Sequence, residues 1–138
     1  MREAVGGSLL LYLIIPIIIL FIVFIGFIMN YASAYRAANY VITQIENCQG
    51  QMNNCGDVDL DAITETVRTK YGYINRNKAK IVPCYINNGN NSYVFRVELP
   101  VAFDLPIFGT TTWMKVRAET KTINNVPAGY LNKFSRCV

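Results

Sequence analysis

The four cysteines, Cys48, Cys55, Cys84 and Cys137, are the residues of this chain with the most definite chemistry. None falls in a CxxC pair and the chain has no histidine, so the set matches no usual zinc spacing and the commonest general base is missing. An even count behind a membrane-length apolar segment predicts two disulfides in an oxidising compartment. Of the three pairings that four cysteines allow, the short Cys48–Cys55 loop with Cys84–Cys137 is preferred, because Cys137 then ties the C-terminus onto a strand. Asp57, Asp59 and Asp61 have the alternating look of a calcium loop. The glycine and bidentate glutamate of such a loop do not follow, and helix capping is the expected role. Asn90-Asn91-Ser92 has the form of a glycosylation sequon but reads as an unmodified hairpin turn.

No GxSxG, HExxH, P-loop or Gly-rich dinucleotide signature occurs, so no enzymatic activity, metal or cofactor is expected. The 13 Lys and Arg against 9 Asp and Glu give a net charge of +4. These basic residues, among them Arg68, Lys70, Arg96, Lys115, Arg117 and Lys121, are interleaved with acids and polar side chains. That pattern is a solvated surface, without the tight basic patch and aromatic platforms of a nucleic-acid site, and no nucleic-acid partner is expected.

The element that must carry this chemistry is dictated by hydropathy. From Leu9 to Met29 no side chain is charged. At ~1.5 Å per residue this run spans roughly 31 Å as a helix, the thickness of a bilayer's hydrocarbon core. It is too long for a signal-peptide core. Tyr31, Tyr35, Ala38, Ile42 and Ile45 continue at intervals of three and four, so the helix is expected to extend to residue 47 with those residues on one face. Pro16 removes one backbone hydrogen bond and is expected to kink or loosen the helix. Gly26 offers a close-approach surface. Ala32, Ser33, Ala34, Ala37 and Ala38 form a small-residue stretch suited either to contact with other helices or to packing on the chain's own domain. The N-terminal segment, residues 1–8, is nearly neutral. The disulfide argument therefore sets the orientation: N-terminus in the cytoplasm, residues 48–138 outside.

The outer domain is expected to be α+β. Asp59 or Asp61 caps a helix over Leu60–Tyr71, which Gly72 ends. Ala79–Ile86 reads as a strand placed at an edge by Pro83. Residues 87–91 read as a hairpin turn. Tyr93, Phe95, Val97, Leu99, Val101 and Phe103 alternate with polar residues, as do Met114, Val116 and Ala118. The expectation is an antiparallel sheet of three to four strands whose apolar face lies on the outer half of the long helix. The connection from Pro100 to Gly109 is unusually apolar, and Leu105, Ile107 and Phe108 are candidates for contact with a neighbouring subunit or with lipid headgroups, the alternative being that they cover their own core.

Several features taken together resemble a known family. Arg2-Glu3-Ala4-Val5-Gly6-Gly7 leads into an apolar helix with a proline a third of the way along; small residues and tyrosines follow from Asn30 to Tyr40. The domain closes with Val97-Glu98-Leu99-Pro100, Leu105-Pro106-Ile107-Phe108 and Val116-Arg117-Ala118-Glu119-Thr120-Lys121-Thr122. Over most of its length the chain resembles the TadE-like pilins, within the wider type IV pilin group. The helix pattern is moderately specific and the sheet motifs are individually weak. The resemblance implies a single-pass precursor in the cytoplasmic membrane, its domain outside, later extracted into an extracellular helical homopolymer whose core is a bundle of the N-terminal helices. It also implies an assembly platform and a prepilin peptidase as partners, with lipid as the partner before assembly. In related pilins a glutamate near the mature N-terminus pairs with a neighbour's terminal amine, and Glu3 is the acid available for that role. The sequence departs from the type IV pattern in having no glutamate at the fifth position of an obvious mature chain. Cleavage after Gly6 or Gly7 would remove Glu3; the alternative is that the sequence already starts at the mature end.

The expected function is therefore a structural filament subunit for attachment, conjugation or secretion, assembled through Glu3, Pro16, Gly26, Ala34, Tyr35 and Ala38. The alternative is an accessory protein of a secretion or conjugation apparatus that stays in the membrane and binds a partner through its outer domain.

Overall fold

The computed structural model describes residues 2–50, 59–73, 81–105 and 109–138, the side chains of residues 2–5, 49, 50 and 103–105 lying outside that description. The fold is α+β: a long apolar N-terminal helix, a further helix and a mixed sheet of five strands. Helix α1 runs Arg2–Gly50. It is longer at both ends than the expected 9–47, because once nucleated a helix gains a hydrogen bond per residue and neither Gly6-Gly7 nor Gln49-Gly50 is a strong enough breaker. Nor does Pro16 interrupt it. Its ring forfeits the bond to the Tyr12 carbonyl, and the helix continues on either side.

Helix α2 spans Leu60–Tyr71. Asp59 is its N-cap, the carboxylate Oδ1 accepting the amides of Asp61 at 2.9 Å and Ala62 at 3.2 Å. Gly72 ends it in the left-handed region at φ 64°, where a side chain would be strained. Ile63 and Val67, spaced by one turn, face the core.

Strand β1 spans Cys84–Gly89, and β2 spans Ser92–Leu105. Between them Asn90 and Asn91 both take positive φ, 49° and 59°, which is the two-residue turn that matches the twist of a hairpin. Asparagine tolerates that backbone region, so the Asn-rich cluster forms this turn. Strand β3, Thr110–Glu119, pairs antiparallel with β2 along its length. Two-residue strands complete the sheet: β4, Ile123–Asn124, on β2, and β5, Ser135–Arg136, on β1. Between β4 and β5 lies a short helix, α3, Ala128–Leu131.

Three sheet expectations need correction. The β1–β5 pairing is parallel, so the sheet is mixed. Among the described residues, β1 begins at Cys84, just after Pro83, and lies between β2 and β5 rather than at an edge; proline stands at its threshold, where no ladder donor is required. Pro100 lies inside β2, where a connection was expected. β1 pairs with β2 only as far as Arg96, so among the described residues β2 has no strand neighbour on that side at Pro100. Its carbonyl there accepts the Tyr73 hydroxyl at 2.7 Å.

The core forms where one face of the sheet meets one face of α1. Phe95, Val97, Leu99 and Val101 of β2 and Val116 of β3 are buried against Ala34, Ala37, Ala38, Val41, Ile42 and Ile45 of α1. Phe95 also packs edge-on against Phe134 and Tyr130, with ring centroids 5.1 Å and 6.0 Å away, which draws the C-terminal segment onto the sheet. Thr120 is buried and serves both polar groups of Phe95: its Oγ1 accepts the Phe95 amide and its amide donates to the Phe95 carbonyl. The opposite face carries cross-strand pairs in register, Arg96 with Glu119 and Arg117 with Glu98. Exposed pairs of this kind stabilise little and serve mainly to keep that face wet.

Cys84 and Cys137 are joined, as expected, and the Cys137 amide donates to the Tyr85 carbonyl beside the bond. Cys48 is also disulfide-bonded; its expected partner Cys55 lies outside the described residues.

Two outcomes follow for the detergent-solubilised full chain. Cys84→Ala with Cys137→Ala reopens a loop of 53 residues. It is expected to lower unfolding stability by about 2–4 kcal/mol, read as a fall in the urea midpoint. Burial pushes the Tyr73 hydroxyl up to about 12 and raises that of Tyr130 as well. Unfolded tyrosine ionises near ~10, so above that pH the unfolded state sheds a proton that the folded state keeps. Stability is therefore present in full below pH ~10 and falls as pH rises toward 12, and Tyr73→Phe is expected to make that fall shallower.

Candidate assembly and membrane surface

Among the described residues, the longest stretch left uncovered by the domain is the first half of α1. From Leu9 to Ile22 the large apolar side chains are between 39 % and 80 % exposed, on every side of the helix. An amphipathic surface helix would show one covered stripe; a helix apolar all round belongs in lipid or among other helices. Each such side chain is worth roughly 1.5–3 kcal/mol on burial, so leaving the rod in water costs tens of kcal/mol, more than a domain of this size has in total stability. Among the described residues, one helix, within Gly6–Cys48, is long and apolar enough to cross a membrane.

Glycines along the rod have no intramolecular cause. A side chain added at Gly6, Gly7 or Gly26 would meet nothing within 4 Å, and none of the three has a positive φ. Gly26 therefore gives up about 1 kcal/mol of helix propensity for no contact inside the chain.

Past Met29 the helix changes character within two turns. Tyr31 and Tyr35 are 42 % and 50 % exposed, and Tyr31 stands against Phe27 at a centroid distance of 6.3 Å. Ala34, Ala37 and Ala38 are wholly buried. The residues that pack are Ala34, Ala37, Ala38, Val41, Ile42 and Ile45; Tyr31 and Tyr35 share the helical spacing of Ala38, Ile42 and Ile45, but the domain leaves them exposed. Alanine at the covered positions lets the helix backbone approach the buried row of β2 closely. Of the three residues assigned to assembly in this stretch, Ala34 and Ala38 are used inside the domain and Tyr35 is presented outward.

Arg36 is the only charged residue of α1 between Glu3 and Glu46. It is exposed and, at ~100° per residue, lies roughly opposite the covered stripe, beside Asn39 and Thr43. The rod's two ends are thus both marked by charge. Glu3 is helical, its side chain outside the described residues, as are the side chain of Leu105 at the end of β2 and the whole of Ile107 and Phe108.

Sequence reasoning passed over Trp113 and expected Met114 on the covered face. Both are exposed, at 49 % and 45 %. Trp113 follows the parity of Lys115 and Arg117, which put it on the sheet face turned away from α1, and that parity was readable. Met114 has the parity of Val116 and pairs with the buried Val101, yet is left exposed. Among the described residues no group of three or more His, Cys, Asp or Glu is arranged to hold a metal. Comparison with protein families, curated proteins and solved structures finds no match.

A charge at the middle of the rod tests its solvent. Ile19→Arg raises the cost of membrane insertion by about 3 kcal/mol. That is small against the tens of kcal/mol held by the rod, so the variant and the unaltered chain are both expected to stay in the membrane pellet after alkaline carbonate; release of the unaltered chain would show that the rod is not in lipid.

Proposed function

We propose that this chain is a structural subunit of a pilus-like filament: a single-pass precursor, its domain outside the cytoplasm, that assembles into a helical homopolymer through a bundle of its N-terminal helices. The observation that carries the reading is the all-round apolar rod joined without a break to a helix face locked in the domain. A tether needs only to cross lipid, and a flexible joint after residue 29 would serve it. Here rod and domain move as one lever, which is what a subunit needs if the packing of its rod is to set the position of its domain.

Two further points support the reading. Gly26 is costly in a lone helix and useful where a neighbour's backbone approaches, since small residues allow close helix contact without a hydrophobic driving force between lipid and protein. The likeness to TadE-like pilins in the N-terminal pattern points the same way. Glu3 is assigned to the start of the rod, where a neighbour's terminal amine is the partner that would offset its charge, and Pro16 to a site where the rod loosens in the polymer.

The rival is a membrane-resident accessory protein. Shearing cells and blotting the released fraction separates the two. The filament reading expects the chain there as long polymers, visible as regular rods by electron microscopy; its confinement to the membrane fraction under every growth condition would sink the reading. Gly26→Leu is expected to leave the monomer's unfolding midpoint unchanged or slightly higher, and to abolish or sharply reduce the sheared polymer.

A further inference from the structure

The sheet lies along α1 in a direction that can be worked out. At one end Glu46 Oε1 accepts the amide of Lys121 at 3.2 Å, which pins the end of β3 to the end of the covered helix face. Thr120, the next residue back, is bonded to Phe95, so that end of β2 is there too. From this anchor Phe95, Val97, Leu99 and Val101 are buried in single file, a row of about 20 Å. The buried face of α1 from Ile45 back to Ala34 is about 17 Å long. The rows match, and β2 and β3 are the strands that pack most closely on α1. The sheet therefore runs from Glu46 back toward the apolar rod.

On that geometry the stretch from Glu119 to Trp113, about 20 Å, ends level with the turn of α1 around Ser33. Ser33 is about 6 Å beyond Met29, the last residue of the uncharged run. The headgroup layer on each side of a bilayer is roughly 5–8 Å deep. Trp113 and Met114 thus fall at the height where lipid headgroups would be.

Their exposure fits that height. Among the described residues beyond Tyr35, the exposed large apolar side chains are Val82, Trp113, Met114 and Val138. Trp113 and Met114 lie on opposite faces of β3, so apolar surface is open on both sides of the strand at one level. A protein partner docked on one face would cover one of them; a layer that surrounds the domain covers both. Tyr31, Tyr35 and Arg36 of α1 mark the same level with two aromatic side chains and a long cationic one, the residue types that settle between hydrocarbon and water.

We propose that Trp113 and Met114, with Tyr31, Tyr35 and Arg36, form a collar seated in the outer headgroup layer of the bilayer before assembly, with the Thr110 end of β3 about 10 Å deeper. This rests on the membrane-spanning reading of the rod given above.

Trp113 is the only tryptophan in the chain, so its fluorescence reports the collar alone. The full-length protein is reconstituted into phosphatidylcholine vesicles carrying lipids brominated either near the headgroup or near the chain ends, and acrylamide is titrated from the water. The expected result is stronger quenching by the shallow bromines than by the deep ones, with loss of most acrylamide quenching relative to the same protein in denaturant. Unchanged acrylamide quenching with no effect of either lipid overturns the proposal, as does stronger quenching by deep bromines. A companion chain with Leu20→Trp and Trp113→Phe separates the two claims. If deep bromines quench Trp at residue 20 while Trp113 stays in water, the collar fails and the span stands. If they quench neither, the span fails and the collar with it.

Discussion

The constraint behind every other feature of this protein is that α1 is apolar on all sides for half its length, yet its own domain covers only one face of the other half. Among the described residues the domain's core does not reach the rod: it is formed by Ala34, Ala37, Ala38, Val41, Ile42 and Ile45 on the helix side and by four alternate residues of β2 on the sheet side. The hydrophobic energy left unsatisfied is tens of kcal/mol, against a folding stability on the order of 10 kcal/mol. So the surroundings of the rod, lipid or other rods, decide where the molecule can exist.

The domain is built to hold that helix rigidly. Alanines at the point where the helix enters the core bring its backbone close to the sheet, and Glu46 closes the far end by accepting the Lys121 amide. The disulfide between Cys84 and Cys137, the parallel pairing of β5 and the stack of Phe95, Tyr130 and Phe134 fold the C-terminal segment back onto the same strands. A sheet of this size packed on a single helix face has little area to spare. The disulfide, at the Arg96 level of the sheet, and the Glu46–Lys121 hydrogen bond lie at the same end, so that end is held by directional bonds as well as by apolar packing, which is non-directional.

Much of this was legible in the residues. The alternation from Tyr93 to Val101 allowed only a half-buried strand, Asp59 and Gly72 bounded α2 through cap chemistry, and the Asn cluster signalled its turn. What escaped were features set by neighbours distant in sequence. The connection expected from Pro100 holds only until one knows that the β1–β2 pairing ends at Arg96 and that the Tyr73 hydroxyl serves the Pro100 carbonyl. The parallel pairing of Ser135 and Arg136 depends on a chain reversal through α3 with no hydropathy signal of its own. The exposure of Met114, opposite the buried Val101, is not encoded by the local pattern. Of the candidate assembly residues, Ala34 and Ala38 had two readings in the sequence, and their complete burial decides for packing inside the chain.

That last result changes the physical problem of assembly. With the alanines used within the domain, a neighbouring rod must find its contacts on the lipid-length segment and on the side of α1 opposite the sheet, where Arg36, Asn39 and Thr43 stand. Moving the rod from lipid to a bundle gains little hydrophobic free energy, because lipid tails are as apolar as leucine. What favours the bundle is close packing, dispersion contact and the few polar groups that lipid cannot satisfy. A rod of Ile and Leu with single small breaks such as Gly26 is suited to that weak, shape-dependent preference. Arg36, costly to bury alone, stays at the level where water or an anionic partner remains within reach. The transfer is then nearly balanced, and a small difference in packing is enough to set its direction.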